Sequence, residues 1–303
     1  GYLSLLWVAL GPSLLNLYSV KVLGGYPETL FFGNLLLLLC LSLIKHEGSE
    51  NAGTRFLWLM GFISGLAMWT LFMIIPYLVT LSLYLYKKRP DLFRWKNLFI
   101  LGSSFVFGAL PMVLYNIQHP MATFTRLGGR VLHVTRDDAG VKGVGLLVDM
   151  VKNYASDRLG LIKETFLNLS GLFGLPGQGW LAWLFSGLLV IFFARFFFQR
   201  DEEPQGHPNV SQHPDARFIL TSLTAATLGF AVLFGLDRSR HLFPLYTVLP
   251  VGLAIGVWRW SRQSRRIAAI AFLLLVAMNC ATTMKLIETT MVPDLGALVR
   301  ELE

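Results

Sequence analysis

Charged residues are few in this chain. Asp, Glu, Lys and Arg make up 15% of its 303 residues, against about 25% in a typical soluble domain. With 54% hydrophobic residues and a mean hydropathy of +0.57, that scarcity excludes an ordinary water-soluble globule. Cysteine is nearly absent. Cys40 and Cys280 both lie inside apolar runs, where a thiol reads as a small hydrophobe and not as part of a disulfide framework. There is no Walker loop, no dinucleotide fingerprint and no internal repeat, so any activated group must reach the protein without a bound nucleotide. The run Leu3–Leu15 lacks the basic flank and cleavage site of a signal peptide, and the chain, opening at Gly1, reads as truncated or processed at its N-terminus.

What the chain has in abundance is apolar segments. Nine can be marked, at roughly 3–22, 27–44, 55–71, 72–86, 97–116, 179–198, 217–236, 242–258 and 267–284. A helix needs about 20 such residues to cross about 30 Å of hydrocarbon. The expected fold is therefore all-α: a polytopic transmembrane helical bundle of about nine spans, forming one domain over 1–303. The segments 55–71 and 72–86 have no polar loop between them. Trp69, Thr70 and Pro76 mark a turn there, and a single long helix kinked at Pro76 is the competing reading.

The net charge of +8, from 26 Lys and Arg against 18 Asp and Glu, raises the question of nucleic acid. Its distribution answers otherwise. Lys87, Lys88, Arg89, Arg94 and Lys96 share one short loop with Asp91, and Arg259, Arg262, Arg265 and Arg266 share another with no acid. Both loops, with Lys45 and Arg55, fall on one side of a nine-span count, which the positive-inside rule makes cytoplasmic. The expected partners are thus membrane lipids, with no nucleic acid. The linker 199–216, with Asp201, Glu202, Glu203 and three prolines, is on the same side; its His207 and His213 lack the company of a metal site.

The other face carries the link Leu23–Glu28, the long loop 117–178, the link Asp237–His241 and the tail from Lys285. Within the loop, Gly145–Val151 and Tyr154–Leu169 read as amphipathic helices, with Leu159, Ile162, Phe166 and Leu169 at helical spacing. They suit either a small packed cap or a surface that contacts substrate.

Several residues on that face have chemistry to offer. Arg238 and Arg240, followed by His241, are pinned in a five-residue link between spans. Two planar guanidiniums there suit a phosphate, and the alternative is snorkelling to lipid headgroups. Glu28 opens an apolar span after Gly24, Gly25 and Pro27. It either complements the positive end of the helix dipole, the plainer reading, or serves as a base or a ligand for a divalent metal ion, the one cofactor the sequence leaves open. Asp137 and Asp138 form a solvated turn or a loop contact, and Asn116 either ends its helix or hydrogen-bonds a polar acceptor. Apart from Lys21 and Arg195 near span ends, no charge lies within a span, which counts against ion-coupled transport. Gly61 and Gly65 form a Gly-x-x-x-Gly pair for close helix approach.

Four pieces, in order, carry a family resemblance. They are Gly24-Gly25-Tyr26-Pro27-Glu28-Thr29-Leu30, the run from Gly61 to Thr70 before a Pro-containing span, Gly108-Ala109-Leu110-Pro111-Met112-Val113-Leu114-Tyr115-Asn116, and Arg240-His241-Leu242-Phe243-Pro244-Leu245-Tyr246. Together they resemble bacterial members of the GT-C glycosyltransferase superfamily, the relatives of protein mannosyltransferases and aminoarabinose transferases. The resemblance implies a bacterial inner-membrane enzyme. It would pass a sugar from a polyprenyl-phosphate carrier to a lipid, glycan or protein acceptor on the non-cytoplasmic face. It also implies that Arg240, with Arg238 and His241, holds the donor phosphate, and that Glu28 stands near the reaction centre. The chain departs from the family in three places. Glu28 stands where Asp is usual, and His241 where an aromatic such as Tyr is usual. The family's principal catalytic acid, in a loop after the first span, is expected upstream of Gly1. An O-antigen ligase or polymerase, a lipid-linked-glycan transporter and a membrane scaffold are the rival readings.

Overall fold

The computed structural model describes residue 15, residues 25–45, 50–119, 214–234 and 239–252, and single positions at 163, 166, 167, 169, 180, 182–184, 186, 187, 190, 266, 273, 277 and 284. Every regular element among these is helical. Six longer helices appear: α1 (Tyr26–Lys45), α2 (Glu50–Thr70), α3 (Ile75–Lys88), α4 (Trp95–Gly108), α5 (Leu110–Gln118) and α6 (Pro214–Phe234). The chain divides into two compact units. One comprises Gly24–Lys163 with Phe218–Leu245; the other comprises Gly1–Leu23, Glu164–Arg217 and Tyr246–Glu303.

Among the described residues, two stretches are long and apolar enough to cross a membrane, Tyr26–Lys45 and Asp215–Val232. A third is added if α4 and α5 count as one broken span. The chain thus carries transmembrane-type helices, fewer in the described residues than the nine apolar segments. Helix α3, at 14 residues, reaches about 21 Å and is short of the hydrocarbon thickness. Helix α2 has the length, at 21 residues, but Arg55, Ser64 and its tryptophans dilute its apolar character.

Two elements differ from the segment boundaries in an informative way. Between α2 and α3 the chain does not continue as one kinked helix. Leu71 is extended (φ −161°, ψ 133°), a 3-10 turn follows at Phe72–Ile74, and Pro76 sits in the first turn of α3, where its missing N–H costs nothing. The apolar run 97–116 is not one helix either. It breaks at Ala109, and α4 and α5 meet at 68°. Pro111 has no N–H to offer the carbonyl of Phe107, and its ring would collide with that carbonyl in a continuous helix. The Ala109 N–H donates to the Phe105 and Phe107 carbonyls instead, closing α4.

Helix α1 buries Tyr26, Thr29, Gly33, Leu36, Cys40 and Leu43. The alternating three- and four-residue spacing makes one narrow seam, the geometry of shallow-angle helix packing. Its small member, Gly33, receives the ring of Tyr77 from α3; a Cβ there would lie 2.5 Å from the ring carbons. Among the described helices, α2 and α4 share the most extensive interface, and glycine makes it. A Cβ on Gly61 would strike Ser104 Oγ and the Leu101 carbonyl, one on Gly65 the Phe105 carbonyl, and one on Gly108 the Phe62 carbonyl. Backbone thus lies directly on backbone, the contact by which helices associate where water supplies no driving force.

The basic turn joining α3 to α4 is held from within. Arg89 Nε and Nη2 donate to the two Asp91 carboxylate oxygens at 3.0 and 2.9 Å. That hydrogen bonding holds the Asp91 carboxyl below its ordinary value. The pair's stabilisation is therefore fully present above about pH 4, the unfolded carboxyl's range, and is lost as pH falls through the lower folded value. Because the pair is partly exposed, Asp91→Asn should cost no more than about 1 kcal/mol near neutral pH. The difference from wild type should vanish in acid, as read by thermal unfolding in detergent across that range.

In the other unit, Phe166 and Trp183 pack with ring centroids 5.4 Å apart. Phe166, Leu167 and Leu169 are helical, at the end of the amphipathic stretch expected in the long loop. Apart from these, Lys163 and 117–119, that loop lies outside the described residues, as does the 199–213 part of the linker.

Candidate functional site

Two of the segments expected from sequence to carry site residues are described, and each is a short turn. The first is the start of α1. Gly25 is buried and has φ +99°, the left-handed region open to glycine, and a Cβ there would also crowd Leu71 Cβ and the Thr70 carbonyl at 3.2 Å. The Gly25 carbonyl accepts from the Thr29 N–H at 3.0 Å and from the Thr29 hydroxyl at 2.6 Å. The Gly25 N–H donates to Glu28 Oε2 at 3.0 Å. Glu28 is therefore the carboxylate of a capping arrangement, reaching back one turn to an amide the helix leaves unpaired, and its charge lies at the positive end of the helix dipole. The side chain is otherwise exposed. Glu28→Gln keeps an oxygen for the Gly25 amide and should leave stability within about 0.5 kcal/mol, whereas Glu28→Ala should cost about 1 kcal/mol. Chemical or thermal unfolding in detergent checks both.

The second turn is the 3-10 segment Ser239–Leu242, whose next residues fold back as a turn at Phe243 and Pro244 before helix resumes at Leu245. Leu242 and Phe243 are fully buried and anchor the turn. His241, half-buried, meets Phe230 of α6 edge-on, with centroids 6.3 Å apart and planes at 87°.

One aromatic contact joins the two turns. Tyr26, two residues before Glu28, packs edge-on against Phe243, two residues after His241, at 5.5 Å and 61°. The turn Gly25–Glu28 and the turn carrying the backbone of Arg240 thus share one end of their unit. The opposite end is fixed by a separate contact set. Tyr84 packs on Phe218 at 6.1 Å, and Lys87 Nζ lies 4.6 Å from the centre of the same ring. Along α6, Phe218 and Phe230 are about 18 Å apart, so the two turns are well separated from the basic 87–96 turn, by less than the about 30 Å of a full hydrocarbon core.

The remaining candidates stand differently. Asn116 donates from Nδ2 to the Met112 carbonyl at 2.8 Å, the local bond of a helix-end residue, while its neighbours Tyr115 and His119 bring their rings to 4.8 Å. The side chain of Arg240, all of Arg238, and Asp137 and Asp138 lie outside the described residues. Among the described residues no three His, Cys, Asp or Glu side chains are grouped as metal ligands. Sequence reasoning passed over Tyr26 and Phe243 as individual residues, although both lie within the quoted motifs. Their signal was an aromatic at a glycine-proline turn and another before a proline, each too ordinary to stand out alone. The chain matches no protein-family model, no curated protein and no solved structure.

Proposed function

We propose that this protein is a membrane glycosyltransferase of GT-C type, moving a sugar from a polyprenyl-phosphate carrier to an acceptor on the non-cytoplasmic face of the bacterial inner membrane, within a bundle of about nine spans. The observation that carries the reading is the Tyr26–Phe243 contact, which joins an acid-bearing turn to an arginine-bearing turn at the end remote from the basic loop. Transfer from such a carrier needs those two kinds of group. An acceptor oxygen attacks the anomeric carbon, the carbon–oxygen bond to phosphate breaks, and the carrier phosphate departs with the electron pair. Cations at Arg240 and Arg238, with His241, would stabilise that developing charge. A carboxylate takes the acceptor proton. Glu28 suits this role because the Gly25 amide fixes one of its oxygens while the side chain stays exposed.

The test is transfer by the purified protein in proteoliposomes, with a radiolabelled polyprenyl-phosphate sugar and extracted envelope glycans, lipids or proteins as acceptor. Labelled product is the expected result. Consumption of a lipid diphosphate alone would move the reading to a ligase or polymerase, and movement of intact donor across the bilayer to a transporter. Glu28→Gln should lower transfer about 10²-fold or more at unchanged stability; full activity would leave Glu28 a helix cap only. Sensitivity to chelator decides whether a divalent ion takes part.

A further inference from the structure

The turn at the other end of the unit has a second character that the proposed reaction does not use. Its charge is predominantly positive and its Trp95 is left uncovered. Of its cations, Arg89 is engaged by Asp91 and Lys87 lies over Phe218. Arg94 and Lys96 are exposed and form no ion pair among the described residues. Between them stands Trp95, 88% exposed, the most exposed large apolar side chain among the described residues. Phe99, 77% exposed, follows one turn later on α4, and Gly102 and Val106 continue the same exposed face. On α3, exposed Val79 and Leu83 lead to Tyr86, 64% exposed, which meets Phe93 of the turn edge-on at 5.5 Å. Two apolar stripes therefore run along the two helices that the turn joins, and each ends in an aromatic residue beside the turn's cations.

We propose that this turn is a binding site for an anionic phospholipid, with its phosphate held by Arg94 and Lys96, its glycerol region against Trp95 and Tyr86, and an acyl chain along Phe99 and Val106. Charge complementarity selects the occupant. Asp91, the one carboxylate of the turn's own sequence, is bound to Arg89, so nothing in the turn favours a choline or ethanolamine headgroup. The apolar stripe continuous with the cations selects a lipid over a free anion, because a water-soluble phosphate gains nothing from Phe99 and Val106. Trp and Tyr at the rim of an apolar band are the residues that settle at headgroup depth. Lys and Arg close to an anionic leaflet each strengthen the attraction severalfold.

The experiment is lipid binding by the intact protein in neutral detergent, read by native mass spectrometry, with phosphatidylglycerol, phosphatidylcholine and inorganic phosphate as probes. Phosphatidylglycerol should bind in preference to phosphatidylcholine, and excess inorganic phosphate should not displace it. Arg94→Gln with Lys96→Gln should weaken phosphatidylglycerol binding roughly 20-fold, and Trp95→Ala should weaken both phospholipids. Arg55→Gln, an exposed cation at the start of α2, should change nothing. Equal binding of the two phospholipids, displacement by phosphate, or an equal loss in Arg55→Gln would each overturn the proposal. All these positions are exposed, so the variants leave the packed interfaces intact.

Discussion

Arg240→Ala should lower glycosyl transfer by about 10²- to 10³-fold while leaving thermal unfolding unchanged. The magnitude is that of removing one fixed donor from a site where negative charge develops, because the group acts more strongly in the transition state than in the ground state. Stability should be spared because the turn's anchors are elsewhere. Leu242 and Phe243 are buried and Phe243 bears on Tyr26, so the 3-10 segment keeps its place when the adjacent guanidinium is removed. Arg240→Lys should fall between, since an ammonium keeps the charge and loses the planar fork that grips two phosphate oxygens. A kcat reduced with KM little changed would assign Arg240 to the leaving phosphate; normal transfer by Arg240→Ala would remove it from the mechanism.

The largest effect on stability is expected at Gly65. A Cβ there meets the Phe105 carbonyl and, at 2.8 Å, the Ala109 nitrogen, both backbone. No rotamer change can relieve such a contact, so α2 and α4 must separate along their most extensive interface. Gly65→Ala should cost about 2–3 kcal/mol and Gly65→Leu more, at or beyond the upper range for overpacked sites. Gly102→Ala is the matched control. It lies on α4 with nothing within 4 Å of the added carbon, so helix propensity alone should apply and stability should hold or rise by up to about 1 kcal/mol. Unfolding in a graded denaturing detergent, followed by helicity, compares the two. Equal stability of Gly65→Ala and Gly102→Ala would mean that α2 and α4 do not meet as described.

The Gly61–Gly65 pair was legible because spacing on a single helix reports which face is small. Its partners were not, since Ser104 and Gly108 lie about forty residues away and nothing local marks them. The break after Gly108 was hidden for a different reason. Hydropathy sees 97–116 as one apolar run, while the decisive feature is a single missing N–H at Pro111. Glu28 was legible as an acid at the start of a helix, and the Gly25 amide at 3.0 Å gives that reading a geometry. The arginines were legible as residues only.

By composition alone the chain was committed to apolar helices, because a 20-residue run such as Tyr26–Lys45 has no other way to satisfy its backbone in hydrocarbon. Composition was silent about which side of that run would be covered. From Leu35 to Leu39 every residue is leucine, so the pattern has no polar face to point away from the core. Packing chose the side of Gly33 and Cys40, because steric depth distinguishes faces that hydrophobicity leaves equal, and a glycine beneath the Tyr77 ring lets two helices approach. The meeting of Tyr26 with Phe243, more than two hundred residues apart, belongs to that same tertiary choice.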